Sequence, residues 1–348
     1  MRSKSSYRVT ARSFQRWAKT ATAIAVMCML AFFFRSHVKM SNILFEEKEY
    51  SDMIGEGHLT DAVAHTRYRE NILPLALAMF DWTIYDHDTE ILKRSQTPSY
   101  VFCQASQKSI NRLADELPEG FRGSVLLVGG EDLHLSDALE QTNLQQLASR
   151  FHITRYEAKD IPDESIGTFP MGLLPHYTMK HNEFKIRQAI QSASLDNKPQ
   201  LLLAAWGKIW PHLGALQSRK EADDFLRSVA WAEKKSIDLD MWWSTLKLHK
   251  FMLCPTGNGI QSPKFVEALL TLTIPVVQNE SAYYDLKLQG FPLLIVNSWS
   301  ELSPEMLENH WRLLSPKLHW ARSIFITKKW YDFVTSENPG RDGIRQRA

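Results

Sequence analysis

Three features of the 348-residue chain predict an α/β protein of two Rossmann-like domains facing across a cleft, preceded by an N-terminal transmembrane anchor. The first is a basic, acid-free N-terminus that runs into an apolar stretch. The second is an alternation of short, near-continuous apolar runs with amphipathic stretches from about residue 71 onward. The third is a polar, turn-rich break at residues 191–199 (QSASLDNKP), which divides that alternation into two halves.

Residues 1–45 contain no Asp or Glu, while Arg2, Lys4, Arg8, Arg12, Arg16 and Lys19 precede an apolar run over 20–34 that Arg35 closes. As a helix that run spans about 22 Å, short of the ~30 Å of an average hydrocarbon core but workable with snorkelling flanks. The charge bias puts residues 1–19 in the cytosol as a basic tail and the remainder in the lumen of the secretory pathway, Golgi or endoplasmic reticulum, as a single-pass type II protein. A cleaved signal peptide needs small residues at its cleavage site, and Phe32-Phe33-Phe34-Arg35 supplies none. Residues 35–70, polar and increasingly acidic, read as a stem.

Short apolar runs at 100–103, 124–128, 151–155, 201–205, 251–254, 274–277 and 293–296 read as strands buried on both faces. Amphipathic stretches at 108–117, 135–148, 219–234 and 263–272 read as the helices that cover them. The domains are thus residues 71–190 and 198–336, with a flexible tail over 337–348. A formal net charge of +2 argues against a nucleic-acid partner, which needs concentrated basic surface. Three cysteines make no disulfide framework: Cys28 lies in the apolar run, and Cys103 and Cys254 read as buried free thiols.

The stretch that carries chemistry is FMLCPTGNGIQSPKFVEALLTLTIPVV, residues 251–277. It reads as a buried strand, a glycine loop, a helix and a second buried strand. Gly257, Asn258 and Gly259 permit left-handed backbone and close approach of a ligand. Ser262 suits an N-cap and Pro263 the first helical position. Free N–H groups at such a helix start favour a diphosphate, and Lys264 adds a cation. Glu267, three residues further on the same face, is a candidate acceptor for ribose hydroxyls. Arg219 follows the strand at 201–205 and its loop, where it is a candidate partner for a diphosphate or a surface residue of a helix. At the end of the strand 124–128, Gly129-Gly130-Glu131-Asp132 presents two carboxylates where open α/β sheets place ligand-binding residues, with helix capping as the competing role. His176 is a further candidate.

This stretch resembles the donor half of exostosin-like glycosyltransferases, which have the two-Rossmann GT-B fold. The resemblance rests on Pro255-Thr256-Gly257, Ser262-Pro263-Lys264, Glu267-Ala268-Leu269 and Leu272-Thr273-Ile274-Pro275-Val276. It continues through Tyr283-Tyr284-Asp285-Leu286, residues 291–296 (FPLLIV) and Trp299-Ser300-Glu301-Leu302, and is patchier upstream through residues 166–173 (IGTFPMGL). Two positions depart: Lys264 stands where the family has Arg, and Leu272 where it has Gly. The resemblance implies transfer of a sugar from a nucleoside diphosphate sugar, bound by the domain 198–336, to a glycan or glycoprotein acceptor on the domain 71–190, with inversion, no bound metal and no cofactor beyond the donor. It implies a general base across the cleft, for which Asp132, then Glu131, are the candidates, and a cation such as Arg219 to neutralise the leaving diphosphate. A lumenal pseudoenzyme or glycan-binding protein that kept the fold is the competing reading. Asp86-His87-Asp88 and Asp238-Leu239-Asp240 spell the Asp-x-Asp of metal-dependent transferases, but neither follows a strand end.

Overall fold

The computed structural model describes residues 80–84, 91–128, 133–173, 183–206, 215–257, 259–325 and 327–336, all within one compact unit. The basic tail, anchor, stem and C-terminal tail lie outside these residues, as do Glu131, Asp132, Asn258, His176 and Asp86-His87-Asp88. Among the described residues no helix is long and apolar enough to cross a membrane.

The first sheet contains β1 (Trp82–Ile84), β2 (Leu92–Lys93), β3 (Tyr100–Gln104), β4 (Ser124–Val128), β5 (Ile153–Tyr156) and β6 (Ile166–Gly167) in the order β2-β1-β3-β4-β5-β6. All pairs are parallel except the antiparallel edge pair β1–β2. Between the strands lie helices α1 (Gln107–Glu116), α2 (Leu135–Gln141) and α3 (Leu144–Ala148). Alternate residues of β3 and β4 explain their near-continuous apolar character. Val101, Cys103, Val125 and Leu127 pack with Ile110, Leu113, Leu135 and Leu144 of these helices. Phe102, Leu126 and Val128 belong instead to the second core. Strand order advances in one direction, and right-handed crossovers then place every helix on one face. The opposite face is left for the C-terminal half to cover.

After β6 come α4 (Glu183–Gln191), which precedes the expected break but packs into the core of the second sheet, and then β7 (Gln200–Leu203), α5 (Ala215–Ser228), α6 (Leu239–Leu246), β8 (His249–Leu253), α7 (Pro263–Leu270), β9 (Ile274–Gln278), α8 (Ser281–Leu288) and β10 (Leu294–Val296). After β10 come α9 (Pro304–Leu314), α10 (Leu318–Ile324) and α11 (Thr327–Thr335). The four strands form an all-parallel sheet in the order β10-β9-β8-β7. The closing helix returns to the first sheet. Arg155, buried on β5, donates to Val334 O and Ser336 O at 2.8 Å each, and Trp330 donates to Pro170 O at 3.0 Å. Phe80, Phe102, Phe169 and Trp330 therefore share one apolar core with Phe251, Val276 and Phe291 of the second sheet.

Three expected boundaries shift for identifiable reasons. The helical stretch 135–148 breaks in two because the Thr142 hydroxyl accepts from Leu144 N at 3.1 Å and restarts the helix. The stretch 219–234 is helical only to Ser228, since Lys234 is recruited beside Ala204 and Lys235 N donates to Ala204 O at 2.8 Å. The strand expected at 151–155 starts at Ile153, after Phe151 N has closed a turn on Ala148 O. Strands β1, β2 and β6 are too short to leave an apolar run in the sequence. Because β1 leaves no such run, one expectation fails: the strand ends at Ile84, so the sequence Asp86-His87-Asp88 does come just after a strand end.

Helix α7 ends in a Schellman closure: Thr273 N donates to Ala268 O at 2.8 Å and Leu272 N to Leu269 O at 3.1 Å. Leu272 therefore sits at φ 58, where glycine is favoured, with its side chain fully buried. The left-handed backbone costs ~1–2 kcal/mol, whereas a buried leucine side chain contributes about 2–5 kcal/mol. Packing outweighs strain, so Leu272→Gly is expected to destabilise the fold by roughly 1–3 kcal/mol in urea denaturation. A stabilised variant would show that strain outweighs packing at this position.

Candidate functional site

All four strands of the second sheet end at one edge, where α7, α8 and the turn at Ser298 begin. Cys254 N extends the ladder by donating to Val276 O at 2.8 Å, and the chain then leaves β8 as Pro255-Thr256-Gly257. The first turns of α5 clamp this loop. The Ser218 hydroxyl accepts from Thr256 N at 3.1 Å and donates to Gln278 Oε1. A Cβ added to Gly257 would lie 3.2 Å from the Arg219 guanidinium. Gly257 thus favours the close approach of Arg219 and is not there for left-handed backbone, since its φ is not positive; among the described residues only Leu272 and Gly290 have positive φ.

Beyond Gly259 the loop is fixed by buried side chains. The Tyr283 hydroxyl donates to Ile260 O at 2.7 Å and accepts from Ser262 N at 3.3 Å. The Gln261 amide reaches the first half, donating to Glu157 O at 3.0 Å and Phe169 O at 2.8 Å and accepting from Met171 N at 2.9 Å. Ser262 occupies the N-cap of α7 with extended backbone, and Pro263 follows at the first position, but the serine side chain makes no capping bond.

Lys264 and Glu267 meet on Trp242 of α6. The Lys264 ammonium lies 4.1 Å from the indole centroid, and the indole N–H donates to Glu267 Oε2 at 2.8 Å. Burial pulls the Lys264 ammonium below its usual range; Glu267 opposes this shift, and nearby Arg219 adds to it. The structure therefore brings Gly257, Arg219, Lys264 and Glu267 into one cluster, with two cations beside the amino end of an eight-residue helix. Such a cluster can hold an anion. The Glu267 carboxylate is buried and engaged by Trp242.

Several participants carry no signal in the sequence. Trp242 and Ser218 are brought in by α6 and α5, and Gln261 is an ordinary residue type at its position; Tyr283 stands out only through the resemblance. A polar junction beside the loop joins the two halves: Asp160 accepts from Ser136 N at 3.0 Å, and Ser281 donates to Asp160 O at 3.3 Å. There the Glu280 carboxyl is raised by burial and by Asp160, with His134 opposing. Asp238 and Asp240 lie exposed at the start of α6, where they suit the helix dipole. Among the described residues no group of three or more His, Cys, Asp or Glu side chains is placed to hold a metal ion. Cys103 and Cys254 are buried free thiols, as expected. A groove of about 240 Å³ between α4 and α6, flanked by Lys185 and Lys247, is lined by none of the candidate site residues.

No known family model matches the chain, and no curated protein matches it. Among solved structures it is similar to WaaG, a glycosyltransferase involved in lipopolysaccharide biosynthesis, at 11% identity and a TM-score of 0.27, covering 68% of this chain and 75% of that one. A likeness this slight carries no argument about chemistry.

Proposed function

We propose that the chain is a glycosyltransferase that moves a sugar from a nucleoside diphosphate sugar to a glycan or glycoprotein acceptor. The observation that carries this reading is the convergence of Arg219 and Lys264 beside Gly257 at the amino end of α7. In the proposal the two cations and the helix N–H groups hold the diphosphate. Gly259 and Ser262 keep the loop open beside it, and Glu267 orients Lys264 through Trp242. Asn258 is a further donor-side contact, and Asp132 or Glu131, following β4, supplies the general base for an inverting, metal-independent transfer. The finer reading is an exostosin-like enzyme of GT-B type, held in the Golgi or endoplasmic reticulum membrane by residues 20–34 with its catalytic part in the lumen.

The test is thermal stabilisation of the full chain by uridine and guanosine diphosphates, with and without chelator, because a ligand that binds only the native state raises its melting temperature. Stabilisation that survives chelator is expected. Arg219→Ala and Lys264→Met, each removing a charge-assisted contact, are expected to weaken binding roughly ten- to hundredfold. An unchanged affinity in both variants would move the site elsewhere. A pseudoenzyme is the second reading, and it is favoured by the engagement of the Glu267 carboxylate by Trp242. Nucleotide binding without sugar transfer to any glycan acceptor would select it.

A further inference from the structure

Four other buried tryptophan indoles of this fold find acceptors. Trp82 donates to Ser95 O at 2.7 Å, Trp242 to Glu267, Trp299 to Ser218 O at 3.3 Å and Trp330 to Pro170 O at 3.0 Å. Trp206 departs from this pattern. It is 8% exposed, yet among the described residues its indole N–H meets no acceptor. A buried donor left unpaired is costly, and it calls for a partner such as an ordered water, an ion or a bound ligand.

The position of Trp206 points to that partner. It lies three residues past the end of β7, whose register pairs Leu203 with Met252. Continuing that register sets Trp206 level with Pro255, at the start of the glycine loop. Lys234 covers its ring, with the ammonium 4.7 Å from the centroid, and pairs with Asp223 of α5 at 3.1 Å. Asp223 is one helical turn beyond Arg219 and so lies on the same side of α5. Trp206 and the Arg219–Gly257 contact therefore share one corner of the sheet edge. A cation over the ring also draws electron density from the indole, which strengthens its N–H as a donor to an anion.

We propose that the Trp206 indole N–H is a ligand-binding donor of the glycine-loop site, directed at an oxygen of the bound nucleoside diphosphate. This rests on the nucleotide-binding reading given above. It adds a neutral, rigid donor to the two cations and makes Trp206 a determinant of where the diphosphate sits.

The experiment is proton–nitrogen correlation spectroscopy of the full chain labelled at its indole nitrogens, titrated with uridine diphosphate and guanosine diphosphate. Trp206→Phe identifies the signal by its disappearance. The Trp206 resonance is expected to move to lower field as nucleotide binds. Benzothienylalanine at position 206, which keeps the ring shape and replaces N–H by sulfur, is expected to weaken binding roughly ten- to hundredfold without altering the fold. A rise in melting temperature with nucleotide, together with an unmoved Trp206 signal and undiminished affinity in the isostere, overturns this inference and leaves the nucleotide reading standing. No melting shift and no moving indole signal with either nucleotide overturns both.

Discussion

Gln261→Leu is expected to lower stability by on the order of 3–6 kcal/mol, because it strands three backbone groups at about 1–2 kcal/mol each. The Gln261 side chain is buried and serves Glu157 O, Phe169 O and Met171 N at the junction of the two halves. Leucine fills similar volume but offers no polar atom, so the three groups stay dry and unpaired. Denaturant midpoints for parent and variant measure the effect. A loss below about 1 kcal/mol would mean that water or a local shift replaces the amide. The same variant bears on the site, since Gln261 directly precedes the α7 N-cap. Nucleotide affinity is expected to fall along with stability, because the loop loses its anchor on the first half.

Lys198→Met is expected to act in the opposite direction. Lys198 is 5% exposed and donates to Thr271 O at 2.6 Å and to Thr273 Oγ1 at 3.0 Å. The charges that act on it are those of Arg322 and Lys247, both cationic, so burial and repulsion together bring its pKa down to about 7. The unfolded value is about 10.4. Between those values the native state binds fewer protons than the unfolded chain, so stability rises with pH through this window, by at most about 1.4 kcal/mol per pH unit. Below pH 7 the cost of the buried ammonium is present in full. Replacing it by methionine removes that cost but leaves Thr271 O without its donor. The net gain expected at pH 6 is about 1–3 kcal/mol, and the parent's extra rise between pH 7 and 10 should be absent from the variant. Parallel stability curves for the two proteins across that range would show that Lys198 is not held neutral. His249 adds a separate acid limb. Its ring is buried, with Nδ1 2.9 Å from Thr245 O, and burial brings its pKa down to about 4. Stability therefore falls as pH drops from about 6.5, the ordinary histidine value, toward 4, in both parent and Lys198→Met.

Much of the second half was legible in the sequence because its signals are local. The glycine loop between two uninterrupted apolar runs, with Ser262 and Pro263 ahead of an amphipathic stretch, specifies strand, turn and helix from neighbouring residues alone. Runs such as SVLLV announce burial on both faces, and β4 occupies the expected residues, Ser124–Val128. Short elements escaped notice because two or three residues cannot establish a period. The break at Thr142 and the end of α5 at Ser228 escaped for a different reason: a side-chain hydrogen bond and a recruited neighbour override the amphipathic pattern there.

The α/β class, the central strands and the place where a helix start follows a glycine turn are thus written in the chain itself. They depend on backbone propensity and on a hydrophobic period that is read within a dozen residues. It took the folded structure to show that Arg219 lies against Gly257, that Trp242 joins Lys264 to Glu267, that Gln261 ties the loop to the first half, and that Leu272 takes a glycine's backbone. Each is a contact or conformation imposed by buried partners, and the pairing of buried polar groups is settled by whatever the folded chain brings within hydrogen-bond reach.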